Sequence, residues 1–479
     1  MGAGKMKGIK LKELKLFFIS LSVFLVIGSL FIKPPQGLSR DGFIMLAIII
    51  AMLILFLSEA MPQVAICFFV IIAMKYTGVS SWDAILRTSA STAVFFCMAG
   101  FGLGAALQNT NLAPILICKL YRLCGGDSGK LISIICWMTA IISVFVANGA
   151  AQIVVISLVT TIIKSVGNPE PGKSRMAAGL MMAIIVGATT GGICLPSSNN
   201  TNIIAMELSQ TVGNCQMTYF QWAIYGIPCS FILTAFSAWL LPKYYKPEQL
   251  SAEQRLKIDK VFGQISGEFR KKDIYYMIIV LMMVVLWIAS NWVKYLDIVA
   301  IAMAGVFLMM LPGVDLLNAK DYKKNFSPMN IVTLLCFFPM AAAMTDTGAG
   351  QWAVNLIFNG VDNWNGISII VISILAAFLV HCFIPAGSAN TAFSVALITP
   401  ILVNAGIPVS AAIVMVGLQT GTGFLLPIEG TWQYTFGLGY YSFADCIKGN
   451  WKITLIGMLC SMILIPLLSV LYLKTGLLS

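Results

Sequence analysis

The chain has 479 residues, 59% of them hydrophobic and 10% charged, where soluble globular proteins carry roughly 45–50% apolar and about 25% charged residues. Such a chain cannot cover its apolar surface in water, which excludes a soluble multidomain protein. Its apolar runs of about 17–25 residues have the length of membrane-crossing helices and lack the roughly ten-residue alternation of a β-barrel. The net charge of +11 does not mark a nucleic-acid binder, because the lysines and arginines stand at the ends of apolar runs and not on one solvated face.

The basic N-terminus leads into an apolar stretch at 16–32 without a small-x-small cleavage site, which reads as a first transmembrane helix and not as a signal peptide. Further spans are expected at 42–60, 63–79, 92–118, 175–208, 221–242, 274–292, 296–312, 330–348, 409–427 and 453–473, about eleven crossings in all. Two more apolar segments, 131–163 and 366–403, are interrupted by Asn148-Gly149 and by the stretch from Pro385 to Asn390, and are predicted to return as re-entrant hairpins. The fold class is therefore an all-α polytopic membrane protein. Its parts are an N-terminal segment with the first helix (1–41), a first half (42–242), a charged cytoplasmic linker (243–273) and a second half (274–479). The first half holds a broken helix at 175–208, the second one at 409–436.

Lysine and arginine concentrate in cytoplasmic loops. With the N-terminus inside and both hairpins returning, 24 of the 30 basic residues fall on the cytoplasmic side and six outside. Most of the twelve cysteines lie within apolar runs with no CxxC or histidine spacing, so neither a disulfide framework nor a zinc site is expected. Trp82, Trp222, Trp292, Trp352, Trp364 and Trp451 fall near span ends, where an aromatic belt would place them.

The halves repeat one another. Asn148 interrupts the first hairpin, and 42 positions later Thr190-Gly191 opens a glycine-rich stretch reaching Leu195-Pro196. Asn390 interrupts the second, and 30 positions later Thr420-Gly421 leads to Leu426-Pro427. Equivalent elements enter from opposite sides, so the repeat is inverted, and matched Gly/Pro/Asn breaks in two halves point to a transporter's binding site. Unwound backbone survives at membrane depth only where it is buried or lines a cavity. There its free N–H groups suit a carboxylate and its unpaired carbonyls suit a cation. The cluster from Pro196 to Asn202, six polar residues in seven, is one such break.

These features resemble the divalent anion:sodium symporter family. Gly37-Leu38-Ser39, Ser58-Glu59-Ala60-Met61-Pro62, the two hairpin tips and the two unwound segments follow the family's order along essentially the whole chain. The resemblance implies a homodimer in which a transport domain slides elevator-fashion against a scaffold. It also implies a carboxylate substrate at the tips, with sodium behind each. By position, Ser143, Asn148 and Ser198 fall at a first sodium site, and Ser388, Asn390 and Glu429 at a second; substrate contacts fall on Asn148, Gly149, Asn199, Asn390, Thr391 and Thr431. No organic cofactor is implied.

The chain departs from the family at both tips. Ala147-Asn148-Gly149 and Ala389-Asn390-Thr391 replace Ser-Asn-Thr, and neither unwound segment keeps Pro-Pro-Asn. Glu429 puts a carboxylate where the family has a small neutral residue, and an ionisable group at membrane depth is a functional hypothesis by default. It is open to four readings: proton carrier, cation ligand, partner of a cationic group on an amino-acid-like substrate, or a carboxylate turned toward Asp445 and Lys448. His381, the only histidine, reads as a packed helix residue or as a charge switch. Glu59 and Asp346 read as interfacial.

The expected function is a cation-coupled secondary transporter of small organic anions, di- or tricarboxylates, with sodium favoured. The alternatives are a sodium-independent anion exchanger and a proton-coupled carrier of an amino-acid-like substrate or sulfate. A membrane-embedded enzyme would need a nucleophile, metal cluster or acid–base pair, which one histidine and few acids do not supply. No Walker motif is present, so an ion or counter-substrate gradient is the expected energy source.

Overall fold

Hydrocarbon cannot hydrogen-bond a bare backbone, so a chain this apolar satisfies its peptide groups within helices. The computed structural model describes residues 2–58, 60–121, 127–146, 148–167, 169–213, 215–263, 269–290, 292–293, 295–350, 352, 365–384, 387–427, 429 and 431–474. All regular structure among them is helical. Among the described residues, eight helices are long and apolar enough to cross a membrane, and five shorter apolar helices accompany them.

The first half runs α1 (Gly2–Ser29), α2 (Arg40–Leu57), α3 (Gln63–Tyr76), α4 (Trp82–Ser89), α5 (Thr92–Gln108), α6 (Leu112–Tyr121), α7 (Ser128–Phe145), α8 (Asn148–Ser165), α9 (Arg175–Gly192), α10 (Asn200–Gly213) and α11 (Tyr219–Tyr245). A linker helix, α12 (Ala252–Gly263), leads to α13 (Lys271–Ala289), α14 (Ile298–Met309), α15 (Ala319–Asn325) and α16 (Pro328–Asp346). There follow α17 (Gly366–Phe383), α18 (Gly387–Asn404), α19 (Val409–Gly421), α20 (Gln433–Phe436) and α21 (Phe443–Leu459), the last continuing through a π-helical turn into α22 (Ile465–Lys474).

The segments expected to return each form a pair of packed helices, α7–α8 and α17–α18. Each starts on a side-chain cap: Asp127 accepts from Lys130 N–H, and Asn365 from Ser368 N–H. Glycines let α9 cross α7 closely, since a Cβ on Gly187 or Gly191 would strike the Cys136 or Ala140 carbonyl. Such close approach is what membrane helices use small residues for.

The halves interlock. The segment after the first break, α10, packs against α18 and α19 of the second half, while α20, after the second break, packs on α8 and α9 of the first. The breaks are thereby brought together at the centre.

Three expectations shift. The span at 92–118 is broken at 109–111, because polar groups there have partners: Asn109 Nδ2 donates to the Leu316 carbonyl (3.0 Å) and Asp321 Oδ2 (2.8 Å), and Asn111 N–H to Asp273 Oδ1 (2.6 Å). The linker is partly helical and tied down. Glu248 accepts from Arg175 and Met176 N–H (both 2.9 Å), its carbonyl accepts from Ser128 Oγ (2.7 Å), and Gln254 Nε2 donates to the Val166 carbonyl (3.0 Å). Trp222 is not a belt residue: it is fully buried, with its indole N–H on the Ile193 carbonyl at 3.0 Å. Trp364 and Glu59 lie outside the described residues, and Asp346 is exposed at the end of α16.

Candidate functional site

Polar side chains stabilise the first break. Helix α9 stops at Gly192, and Asn202 of α10 reaches back so that its amide N–H groups meet the Gly192 (2.7 Å) and Leu195 (2.8 Å) carbonyls. Trp222 takes the Ile193 carbonyl. Ser198 Oγ donates to the Val144 carbonyl (2.7 Å) beside the hairpin tip and accepts from Leu195 N–H (3.2 Å), which fastens the break to the tip.

Behind this tip three oxygens converge. Ser143 Oγ lies 2.8 Å from Asn148 Oδ1 and 2.8 Å from the Ala188 carbonyl. The Ala188 carbonyl, inside α9, also accepts from the helical N–H four residues on, so the Ser143 proton is free for Asn148 Oδ1 and the three groups form a compact set of neutral oxygens. Gly192 leaves the space, since a Cβ on it would strike Asn148 Oδ1. A compact set of neutral oxygens suits a hard monovalent cation.

The second tip is organised differently. Asn390 is fully buried, with Oδ1 accepting from Ser394 Oγ (3.1 Å) and Nδ2 lying 2.7 Å from His381 Nδ1. On the far edge of that ring, Nε2 faces Glu429 Oε1 at 3.4 Å. Thr391 Oγ1 donates to Thr420 Oγ1 (2.8 Å), which donates to the Gly417 carbonyl (3.1 Å). Asn450 of α21 does for this break what Asn202 does for the first, donating to the Phe424 carbonyl at 3.0 Å.

Between the tips lies a chamber of about 580 Å³. Asn148, Gly149 and Asn199 of the first half meet Ser388, Glu429 and Thr431 of the second on its wall. Ser143 and Ser198 sit buried behind Asn148, while Asn390 and Thr391 do not reach the chamber. Four further lining residues, Gln63, Lys324, Asn330 and Tyr434, carried no signal in the sequence, because nothing in their spacing ties them to the breaks. Lys324, exposed on α15, marks the mouth. Tyr434 lies against the tip, 3.2 Å from where a Gly149 Cβ would stand. A second cavity of about 330 Å³ borders the same broken segment through Pro196, Ile203 and Met206. There Thr92 Oγ1 donates to Glu207 Oε1.

Paired helical hairpins and broken helices around a polar chamber define a class, the polytopic secondary transporter. Within it, the chain matches the sodium:sulfate symporter transmembrane region over residues 12–474 and belongs to that family. It is 22% identical over 453 residues to the sodium-dependent dicarboxylate transporter SdcS of Staphylococcus saprophyticus, covering 87% of this chain and 85% of that one. It is 21% identical over 453 residues to the citrate/succinate antiporter of Escherichia coli K12, covering 89% and 92%. Its fold is similar to the crystal structure of the Alcanivorax borkumensis YdaH transporter, with a TM-score of 0.52 at 13% identity, over 97% of this chain and 98% of that one.

Proposed function

We propose that this protein is a cation-coupled secondary transporter of di- or tricarboxylates. The observation that carries the reading is the chamber itself, whose wall joins Asn148, Gly149 and Asn199 to Ser388 and Thr431 across the two halves. Backbone and side-chain amides there supply donors for a carboxylate, and Lys324 adds a positive charge at the mouth. Sodium is the coupling ion of choice because Ser143, Asn148 and the Ala188 carbonyl offer neutral oxygen; Ser198 anchors the tip that carries them. The family name and the dicarboxylate relative point the same way.

By the charge rule Lys324 is cytoplasmic, so the chamber opens inward and the N-terminus is cytoplasmic in a plasma membrane. Transport proceeds by alternating access, with the hairpins and broken helices moving elevator-fashion as one domain against the rest, in a homodimer. Proteoliposomes bearing an imposed sodium gradient are expected to accumulate labelled succinate, malate or citrate, and those with a choline gradient are not. A second reading, sodium-independent exchange, is favoured by the antiporter relative. It predicts uptake only into vesicles preloaded with a dicarboxylate.

A further inference from the structure

We propose that the second half of this carrier binds no coupling cation, because the His381 imidazole takes the place of an ion beside Asn390, leaving one cation site per chain, at Asn148. The inference rests on the cation-coupled reading above.

Asn148 and Asn390 are equivalent by the repeat, yet their surroundings differ. Asn148 Oδ1 faces the Ser143 hydroxyl and, beyond it, the Ala188 carbonyl, with no basic side chain in the set. Asn390 has both ends of its amide engaged, one by Ser394 and the other by His381 at 2.7 Å. The neighbouring hydroxyls are consumed as well, Thr391 by Thr420 and Thr420 by the Gly417 carbonyl. Among the described residues, the buried oxygens near this tip without a partner are Thr201 Oγ1, which stands beside Gly421, and Glu429 Oε1, which is turned to His381 Nε2. At 3.4 Å the pair is too close to straddle an ion. Hard-cation contacts of 2.3–2.6 Å on either side would hold them roughly 4.5–5 Å apart.

The ring's space is cut into the backbone. A Cβ on Gly423 would fall on His381 Nε2, and one on Gly387 would stand 3.2 Å from Glu429 Oε1. The first half has neither feature. The residue nine positions before Asn148 is Thr139, whose hydroxyl turns back to the Ile135 carbonyl at 2.7 Å. The counterpart of Gly423, three positions after Thr190, is Ile193. His381 thus ties the second tip to its broken segment through a side chain, a linkage that an ion would otherwise have to make.

The test is the number of sodium ions bound by the purified full-length protein, by equilibrium binding of ²²Na⁺. One ion per chain is expected, lost in Asn148→Ala and kept in Glu429→Gln. His381→Ala, checked for folding by its melting curve, is expected to expose the second set of oxygens and raise the count to two. His381→Gln, which keeps an acceptor toward Asn390 Nδ2 and is expected to hold the count at one, is the fallback if the alanine variant does not fold. Two ions on the wild-type protein, or a single ion lost in Glu429→Gln but kept in Asn148→Ala, overturns the inference, as does a count of one in a folded His381→Ala. No sodium bound at all would overturn the site at Asn148 together with the sodium-coupled reading on which it rests, whereas a count of two overturns this inference alone.

Discussion

Ser143 Oγ stands 2.8 Å from Asn148 Oδ1 at the end of the first hairpin, and 2.8 Å from the Ala188 carbonyl in the facing helix. Removing the hydroxyl withdraws one oxygen from the cation set while leaving the tip in place through Ser198. Ser143→Ala is expected to weaken apparent sodium affinity about tenfold, equivalent to ~1.4 kcal/mol. The maximal uptake rate at saturating sodium should change little. Sodium-activation curves of uptake check this, and an unchanged half-saturation value would remove Ser143 from the site.

Thr391 falls beside a tip asparagine in the sequence, which marks it for substrate, but its hydroxyl is spent on Thr420 inside the helix pair. Thr391→Val leaves Thr420 without its buried donor, at a cost of about 1–3 kcal/mol. The expected result is a lower melting temperature with an unchanged substrate KM. A raised KM at unchanged stability would return Thr391 to the substrate site.

The contrast between these two residues shows how far the sequence could be read. Breaks at Asn148, Gly149, Asn199, Glu429 and Thr431 are visible because Gly, Pro and Asn do not sit in apolar helices without cause, and all five reach the chamber. The helix breaks near Asn148 and Asn390 were legible for the same reason. Side-chain direction was not: Asn390 and Thr391 share a motif with Asn148 and Gly149, yet turn inward because His381 and Thr420 supply partners from neighbouring helices. Lys324 and Tyr434 arrive through packing of α15 and α20, which leaves no local periodicity to find. Trp222 misled because a span-end tryptophan looks alike whether it faces lipid or a broken helix.

Glu248 lies in the linker and caps α9. Burial raises its carboxyl, but the Arg175 and Met176 N–H groups and the Ser174 hydroxyl overcome this and hold it below the ordinary value of 4.5. A depressed carboxylate stabilises the fold fully above its unfolded value and stops doing so as pH falls through the lowered one. Glu248→Gln is therefore expected to lower the melting temperature at pH 6 and to narrow the difference between pH 6 and pH 4. Melting curves at the two pH values check it; equal acid sensitivity in both proteins would assign the acid loss elsewhere.

Gly187 and Gly191 meet the Cys136 and Ala140 carbonyls at the α7–α9 crossing. The obstacle is backbone, which cannot swing aside like a side chain. Gly191→Ala must push the helices apart and is expected to cost about 1–3 kcal/mol, as overpacking does. Gly187→Ala should behave alike, whereas Gly100→Ala, where a Cβ meets nothing within 4 Å, should be neutral. Thermal stability in detergent separates the three, and an equal loss at Gly100, where alanine's better helix propensity should if anything stabilise, would remove crossing distance as the cause.

Lys324 is the cation at the chamber mouth, exposed on α15 and held near the site because Asn325 accepts from Gln108 Nε2 at 2.8 Å. An exposed charge steers anions over a distance set by ionic strength, about 8 Å at physiological salt. Lys324→Glu is expected to raise the KM for a dicarboxylate several-fold at low salt, with little change in the maximal rate. The difference from wild type should shrink as impermeant salt is added, because screening acts on approach and not on the bound state. A KM effect that persists at high salt would instead put the ammonium in direct contact with the bound carboxylate, and Lys324 would then belong to the substrate site itself.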